Sequence, residues 1–178
     1  MANLEPLIQS IPVAPLKLAS LEGCRALADQ VNNYLVSFRH ESPTNVGQAD
    51  SLQGYCADSY LLECECPRFG SGEGKGVLKE SVRGCDLFIM VDVTNYSLTY
   101  RVNGYENHMS PDNHYQDLKR IISAADGKAR RINVIMPFLY EGRQHKRSKR
   151  ESLDCALMLQ ELVDMGVSNI LTFDAHDP

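Results

Sequence analysis

The sequence predicts an α/β fold: an open parallel sheet with flanking helices and a projecting β-hairpin. Three observations carry that expectation. Three apolar runs, "CDLFIMVDV" (85–93), "INVIMPF" (132–138) and "NILTF" (169–173), have the continuous hydrophobic character of strands buried on both faces. Segments with helical spacing lie between them, and strands alternating with helices give parallel pairing through crossover helices. A glycine-rich stretch, "PRFGSGEGKG", joins two strand-like pieces and reads as a hairpin turn.

Each element follows from its own pattern. "LKLA" (16–19) is a candidate first strand. Residues 21–38 follow as a helix, with Leu27, Val31, Tyr34, Leu35 and Phe38 at helical spacing. Residues 40–54 are polar and rich in turn formers, hence a loop. "SYLLECEC" (59–66) alternates after its first apolar pair, as a strand does, and places Cys64 and Cys66 on one face. The turn leads into "GVLKESV", and then into the first strong strand. Residues 94–111, with Tyr96, Tyr100 and Tyr105, are expected to form a long loop. A helix should start near Asp112, capped by Asp or Asn, with Tyr115, Leu118, Ile121, Ile122 and Ala125 as its apolar stripe and Gly127 as its stop. The last helix is expected over about 151–165, with Leu153, Ala156, Leu157, Leu162 and Met165 facing inward and Gly166 closing it.

The composition bounds the function. At 178 residues the chain is long enough to bury a core, and residues 16–178 are expected to form one α/β domain behind an N-terminal extension, 1–15. No apolar run approaches the roughly 20 residues that span a bilayer. The first 20 residues carry three prolines and no basic start, unlike a signal peptide, so a cytoplasmic location is the expectation. The six cysteines, at 24, 56, 64, 66, 85 and 155, include no Cys-x-x-Cys pair; reduced thiols in packing roles are expected rather than a zinc site.

The feature least explained by folding is "PFLYEGRQHKRSKRE" (137–151). It holds five Lys or Arg between Arg143 and Arg150, in a chain whose net charge is −5. Like charges at adjacent positions repel unless solvent, salt or a bound anion offsets them. The segment leaves the end of one buried strand, and "DAHDP" leaves the end of another. Ligands of open α/β sheets bind outside the carboxyl ends of the strands. If the two strands are neighbours, the cations face Asp174, His176 and Asp177, an arrangement suited to a magnesium-bound polyphosphate. "GSGEGKG" (70–76) does not fit a phosphate loop: Phe69 stands where its first glycine belongs, and Gly76 follows Lys75 where Ser or Thr belongs. Phe69 and Glu73 could project from the turn toward a base, since an aromatic ring can stack on adenine. No role follows from the sequence for His108 or His114.

Taken together, "RFGSGEGK" (68–75), "ESVRGCDLFI" (80–89), "INVIMPFLYEGRQHKR" (132–147), "ESLDCALMLQELVDMG" (151–166) and "NILTFDAH" (169–176) resemble the ribose-phosphate diphosphokinase, or phosphoribosyl pyrophosphate synthetase, family. The resemblance implies a phosphoribosyltransferase-like sheet and transfer of the terminal diphosphoryl group of ATP to the C1 hydroxyl of ribose 5-phosphate, with Mg2+. It implies ATP contacts from Arg143 and Gln144, metal or phosphate-side ligation by His176, and adenine contacts from Phe69 and Glu73 that reach a neighbouring subunit of a homo-oligomer. This chain departs from the family at Ser71, where an acidic or amide residue is usual, at His145, where the family has Asp, and in a longer 94–111 segment. The chain corresponds to the family's N-terminal half; the ribose 5-phosphate loop and the flexible catalytic loop belong to the other half, so the chain alone is expected to be inactive. The alternatives are a non-catalytic regulatory member of the same family or a polyanion-binding module. The net negative charge and the lack of aromatics within the basic run argue against a nucleic-acid partner.

Overall fold

The computed structural model describes residues 12–41 and 54–177. Most of the expected N-terminal extension and of the 40–54 loop lies outside the described residues. In chain order the elements are β1 (Leu16–Ser20), α1 (Arg25–Glu41), β2 (Leu61–Leu62), β3 (Cys64–Glu65), β4 (Val77–Leu78), β5 (Asp86–Met90), β6 (Thr99–Val102), β7 (Tyr105–His108), α2 (Pro111–Ala125), β8 (Arg131–Ile135), α3 (Asp154–Asp164) and β9 (Val167–Leu171).

Five strands form one parallel sheet in the order β2-β1-β5-β8-β9. Ser20, Met90, Ile135 and Leu171 align in register across it and mark its carboxyl edge. The segments that follow β2, β5, β8 and β9 all leave from that edge.

Side-chain alternation splits the core in two. Leu87, Ile89 and Val134 face the larger cluster, with Leu118, Ile121 and Ile122 of α2 and Met158 and Leu162 of α3. Leu18 and Met90 face the other way, onto Cys24 and Ala28, with Phe88 and Ile135 partly buried beside them. A polar network is threaded through the sheet near its other edge. Arg131 donates to both Asp86 carboxylate oxygens, Asn133 donates to Asp86 at 2.8 Å, and Asn169 donates to Asn133 at 2.7 Å. Each buried group thereby finds a partner, as burial requires.

The structure corrects several expectations. In α1 Ala28 and Asn32 are buried and Val31 of the expected stripe packs partly buried beside them, while Leu27 and Tyr34 are exposed. A small face suffices where the helix lies close to the sheet, and Asn32 is satisfied by accepting the Tyr60 amide at 2.8 Å. The strand expected over 59–66 breaks at Glu63 into β2, which joins the main sheet, and β3, which pairs antiparallel with β4. Residues 94–111 are not a plain loop. They hold the β6–β7 hairpin, turned at Asn103 (φ 51) and Gly104 (φ 85), the backbone of a two-residue type I′ turn. The α2 cap is Ser110, whose hydroxyl accepts the Asn113 amide, with Pro111 at the first helical position. The expected α2 stripe is buried throughout. In α3 the inward residues are Cys155, Met158 and Leu162, and Leu157 faces out. The strand at 169–173 is parallel but starts at Val167 and lies at the sheet's edge; Leu171 and Phe173 are exposed, so it is not a central buried strand.

Candidate functional site

The carboxyl edge carries part of the predicted site, the segments holding Arg143, Gln144 and His176. β8 ends into Met136 and Pro137, and the chain turns back on itself through Leu139–Gly142, with Glu141 at φ 54. This turn is held against the segment after β9: Leu139 donates its amide to the Asp174 carbonyl at 3.1 Å, and Phe138 forms a parallel bridge with Asp174. The basic segment therefore starts beside Asp174 because β8 and β9 are neighbours in the sheet.

Beyond Gly142 the cations meet the acidic end. Lys146 Nζ lies 2.6 Å and His145 Nε2 3.1 Å from Asp177 Oδ2. The His145 and His176 rings tilt together with centroids 5.6 Å apart. The Lys146 ammonium, and after it the charge of His145, hold the Asp177 carboxyl below the usual aspartate range. Gln144 braces the loop from inside: its side-chain amide donates to Ser152 O at 2.7 Å and Lys146 O at 3.3 Å. Arg143 is exposed. Behind the turn, Tyr140 stacks on Tyr115 at 4.6 Å and donates to Asp112 at 2.7 Å, which fixes the loop to the start of α2.

Phe69 and Glu73 stand at the tip of the hairpin that follows β3. The Phe69 amide donates to the Glu73 carbonyl at 2.7 Å, and the Ser71 hydroxyl donates to the Glu73 carboxylate at 2.8 Å. Both side chains are exposed. Among the described residues, no hydrogen bond, ion pair or ring contact joins them to the Arg143–His176 group. The base of this hairpin does not stand free. Arg68 donates through two nitrogens to the Asp117 carboxylate of α2 at 2.6 and 2.8 Å, and Arg120 reaches the same carboxylate at 2.6 Å. Gly76 abuts the helix backbone so closely that a Cβ there would lie 2.3 Å from Arg120 O. The glycines thus serve close packing as well as turning, which the sequence reading did not give them.

The site residues missed in the sequence are those under the hairpin. His114 is buried and its Nε2 lies 2.7 Å from Asn95 O, and Asp117 is buried between two arginines. No role followed from the sequence for His114, because a lone histidine in the first turn of α2 carries no signal of what packs against it. A cavity of about 460 Å³ separates the loop after β1 from both hairpins, with Arg68, Tyr100, His114 and Asp117 among its walls.

For a divalent ion the donor set fits in one specific way. Among the described residues no three His, Cys, Asp or Glu side chains are grouped to hold a metal by themselves. Magnesium takes hard oxygen ligands, and usually one or two protein groups with substrate phosphates and water. Asp174, two residues from His176 after β9, is a hard oxygen donor of that limited kind, whereas Asp177 is already paired with Lys146.

These features define an α/β protein whose carboxyl-edge loops bring a cationic segment against carboxylates and imidazoles. The family model for the N-terminal domain of ribose phosphate pyrophosphokinase matches residues 16–166, and the chain belongs to that family. A ribose-phosphate pyrophosphokinase from Corynebacterium ammoniagenes is 30% identical over 120 residues, which are 66% of this chain and 33% of that protein. One from Staphylococcus aureus is 27% identical over 165 residues, 92% of this chain and 40% of that protein. The chain therefore spans a third to two fifths of the length of these relatives. The crystal structure of phosphoribosylpyrophosphate synthetase from Mycobacterium smegmatis superimposes with a TM-score of 0.67 at 24% identity, over 91% of this chain and 43% of that one; it shares the fold.

Proposed function

We propose that this chain is the ATP-side half of a ribose-phosphate diphosphokinase, which transfers a diphosphoryl group from ATP to the C1 hydroxyl of ribose 5-phosphate for nucleotide biosynthesis in the cytoplasm. The observation that carries this reading is the meeting of the segment after β8 with the segment after β9, where Lys146 and His145 contact Asp177. Family membership supports it.

In this reading Arg143 grips phosphate oxygens, bidentately where geometry allows, and Gln144 keeps the loop in shape while offering its amide. His176, with the Asp174 carboxylate two residues away, would hold Mg2+, which would supply charge neutralisation for the transferring group. Lys146, Arg147, Lys149 and Arg150 add positive potential around it. Phosphoryl-type transfer depends mainly on such positioning and neutralisation. Phe69 and Glu73 hold the adenine, from the same chain or from a second copy in a homo-oligomer. Ribose 5-phosphate is to be held by segments outside this sequence. Aligning the C1 hydroxyl with the β-phosphorus can be worth roughly 7–11 kcal/mol, so the chain alone is expected to be inert.

Titration of magnesium-ATP into the chain and into Arg143→Ala, with a parallel assay of phosphoribosyl pyrophosphate formation, tests this. Weak, salt-sensitive binding is expected, and losing one charged donor should cost on the order of 1.5–3 kcal/mol if the site is partly desolvated. Equal binding by both proteins would remove Arg143 from the site, and robust turnover by the chain alone would overturn the division of labour. A regulatory, non-catalytic member is the second reading. It draws on His145, which stands at the family's Asp position and is engaged with Asp177. Binding of magnesium-ATP without turnover in a full-length protein would favour it.

A further inference from the structure

The β6–β7 hairpin leans on the turn that carries Phe69 and Glu73. The Asn103 amide donates to Gly70 O at 3.2 Å. Gly72, at φ +91, sits so close that a Cβ there would lie 2.9 Å from Val102 Cγ2 and 3.9 Å from the Tyr100 ring. Tyr100 also lies under the Arg68 guanidinium, 5.2 Å from ring centroid to Cζ. One face of the second hairpin is therefore pressed against the first.

Register identifies what else that face carries. Val102 pairs with Tyr105 and Tyr100 with Asn107. Directly paired residues of antiparallel strands point to the same side, so Tyr105 shares the face that Val102 and Tyr100 turn toward the Phe69–Glu73 tip. It is nonetheless 75% exposed, and Phe69 is 54% exposed. Tyr96, the neighbouring exposed tyrosine, is already stacked on His108 at 4.4 Å. Among the described residues Tyr105 has no ring partner. The result is two open aromatic rings on adjacent hairpins, with their backbones locked together by a hydrogen bond and a glycine contact. Exposed aromatic surface of this kind suits a flat heteroaromatic ligand, and each base–aromatic stack carries sequence-tolerant affinity.

We propose that Tyr105 is a further ligand-contacting residue, a second aromatic surface for the base of the nucleotide whose adenine Phe69 and Glu73 hold. The inference rests on the reading of those two residues given above. Because the hairpins are locked, Tyr105 travels with the tip, whether the tip serves its own phosphate site or that of a second copy. Val102, Asn103 and Gly72 are the positioning residues that keep the two rings in one place.

The test separates base contact from phosphate contact. Magnesium-ATP and magnesium-tripolyphosphate, which lacks a base, are titrated into the wild-type chain and into Tyr105→Ala, Tyr105→Phe, Phe69→Ala and Arg143→Ala. Thermal unfolding of each variant verifies folding; the Tyr105 side chain is exposed at the start of β7, so its variants should melt as wild type does. Tyr105→Ala should lose roughly tenfold in ATP affinity, the order carried by one base stack, with tripolyphosphate affinity unchanged. Tyr105→Phe should restore ATP binding. Wild-type ATP binding by Tyr105→Ala alongside weakened binding by Phe69→Ala would overturn the role of Tyr105 and leave the adenine reading standing. An equal loss of both ligands in Tyr105→Ala would also overturn it, since the effect would not depend on the base. If neither aromatic variant changes ATP binding while Arg143→Ala does, the hairpin does not hold the base, and the adenine reading and the Tyr105 inference fail together, with the phosphate site intact.

Discussion

Cysteine chemistry shows how strongly single side chains respond to where the fold puts them. Burial pushes the Cys24 and Cys66 thiols up to about 12, helped by the charges of Asp92 and Asp117 respectively, and pushes Cys64 up to about 11. All six cysteines are free, and Cys56 is exposed. The thiolate is the reactive form, so a raised pKa and burial act together to protect these three. With iodoacetamide at about pH 8 we expect Cys56 to be alkylated first and Cys24, Cys64 and Cys66 only after denaturant is added. Peptide mass spectrometry reads the order; labelling of Cys66 at the rate of Cys56 would contradict it. The linkage to stability has a definite sign. The folded chain holds these thiol protons more tightly than the unfolded chain, so their contribution is complete below the ordinary thiol value of 9.0 and is lost as pH rises from there toward about 12.

Among the elements, the Arg68–Asp117–Arg120 cluster decides how the hairpin tip is held. Asp117 and Arg68 side chains are 7% and 9% exposed, so neither charge is well solvated without the other. Removing one partner of a buried pair leaves an uncompensated charge and typically costs about 3–5 kcal/mol. Asp117→Ala should fall in that range by urea denaturation, with an unchanged m-value; a loss under about 1 kcal/mol would mean that Arg68 finds water instead. This cluster was illegible in the sequence, because an Asp on a helix and an Arg before a turn are ordinary surface residues until the hairpin is folded back. Other elements were readable for physical reasons. β5 and β8 carry apolar residues on both faces, outside the Asp86–Arg131–Asn133 network, because both faces are covered. The α2 stripe shows because one side of that helix is buried along its whole length. The α1 stripe misled, since its apolar spacing describes a face with Leu27 and Tyr34 exposed, while the small residue Ala28 makes the inner contact. β6 and β7 carry polar sequences with no core of their own, and Asn103–Gly104 was the one local signal that could have revealed them. The edge position of β9 depends on which strands pair, which no single run of residues encodes.

At the scale of the whole molecule, the meeting of the two carboxyl-edge segments was legible only on the condition that their strands are neighbours, and the sheet order β8-β9 meets that condition. At the same scale the proposed nucleotide can be weighed against a nucleic-acid polyanion. Its five cations sit in a chain of net charge −5, and one of them, Lys146, is already paired with Asp177. Glu151 closes the segment and accepts from the Ser148 hydroxyl and amide. A nucleic-acid duplex needs a broad basic surface: proteins that bind through roughly 6–10 phosphate contacts derive their affinity from counterion release along the strand. Here the cations form one short loop, and the body behind them repels a polyanion at distances within the Debye length, about 8 Å at 0.15 M salt. A magnesium nucleotide is compact and carries far less charge than a duplex, so one short loop and the groups facing it are enough for its phosphates. We therefore expect no mobility shift of a short DNA duplex at about 0.15 M salt, under conditions where magnesium-ATP binds, and at most a diffuse shift at about 0.01 M. Retention of duplex at about 0.15 M, with an affinity that falls about as the fifth power of salt and is lost on replacing the four cations Lys146, Arg147, Lys149 and Arg150, would instead make the segment a polyanion-binding surface.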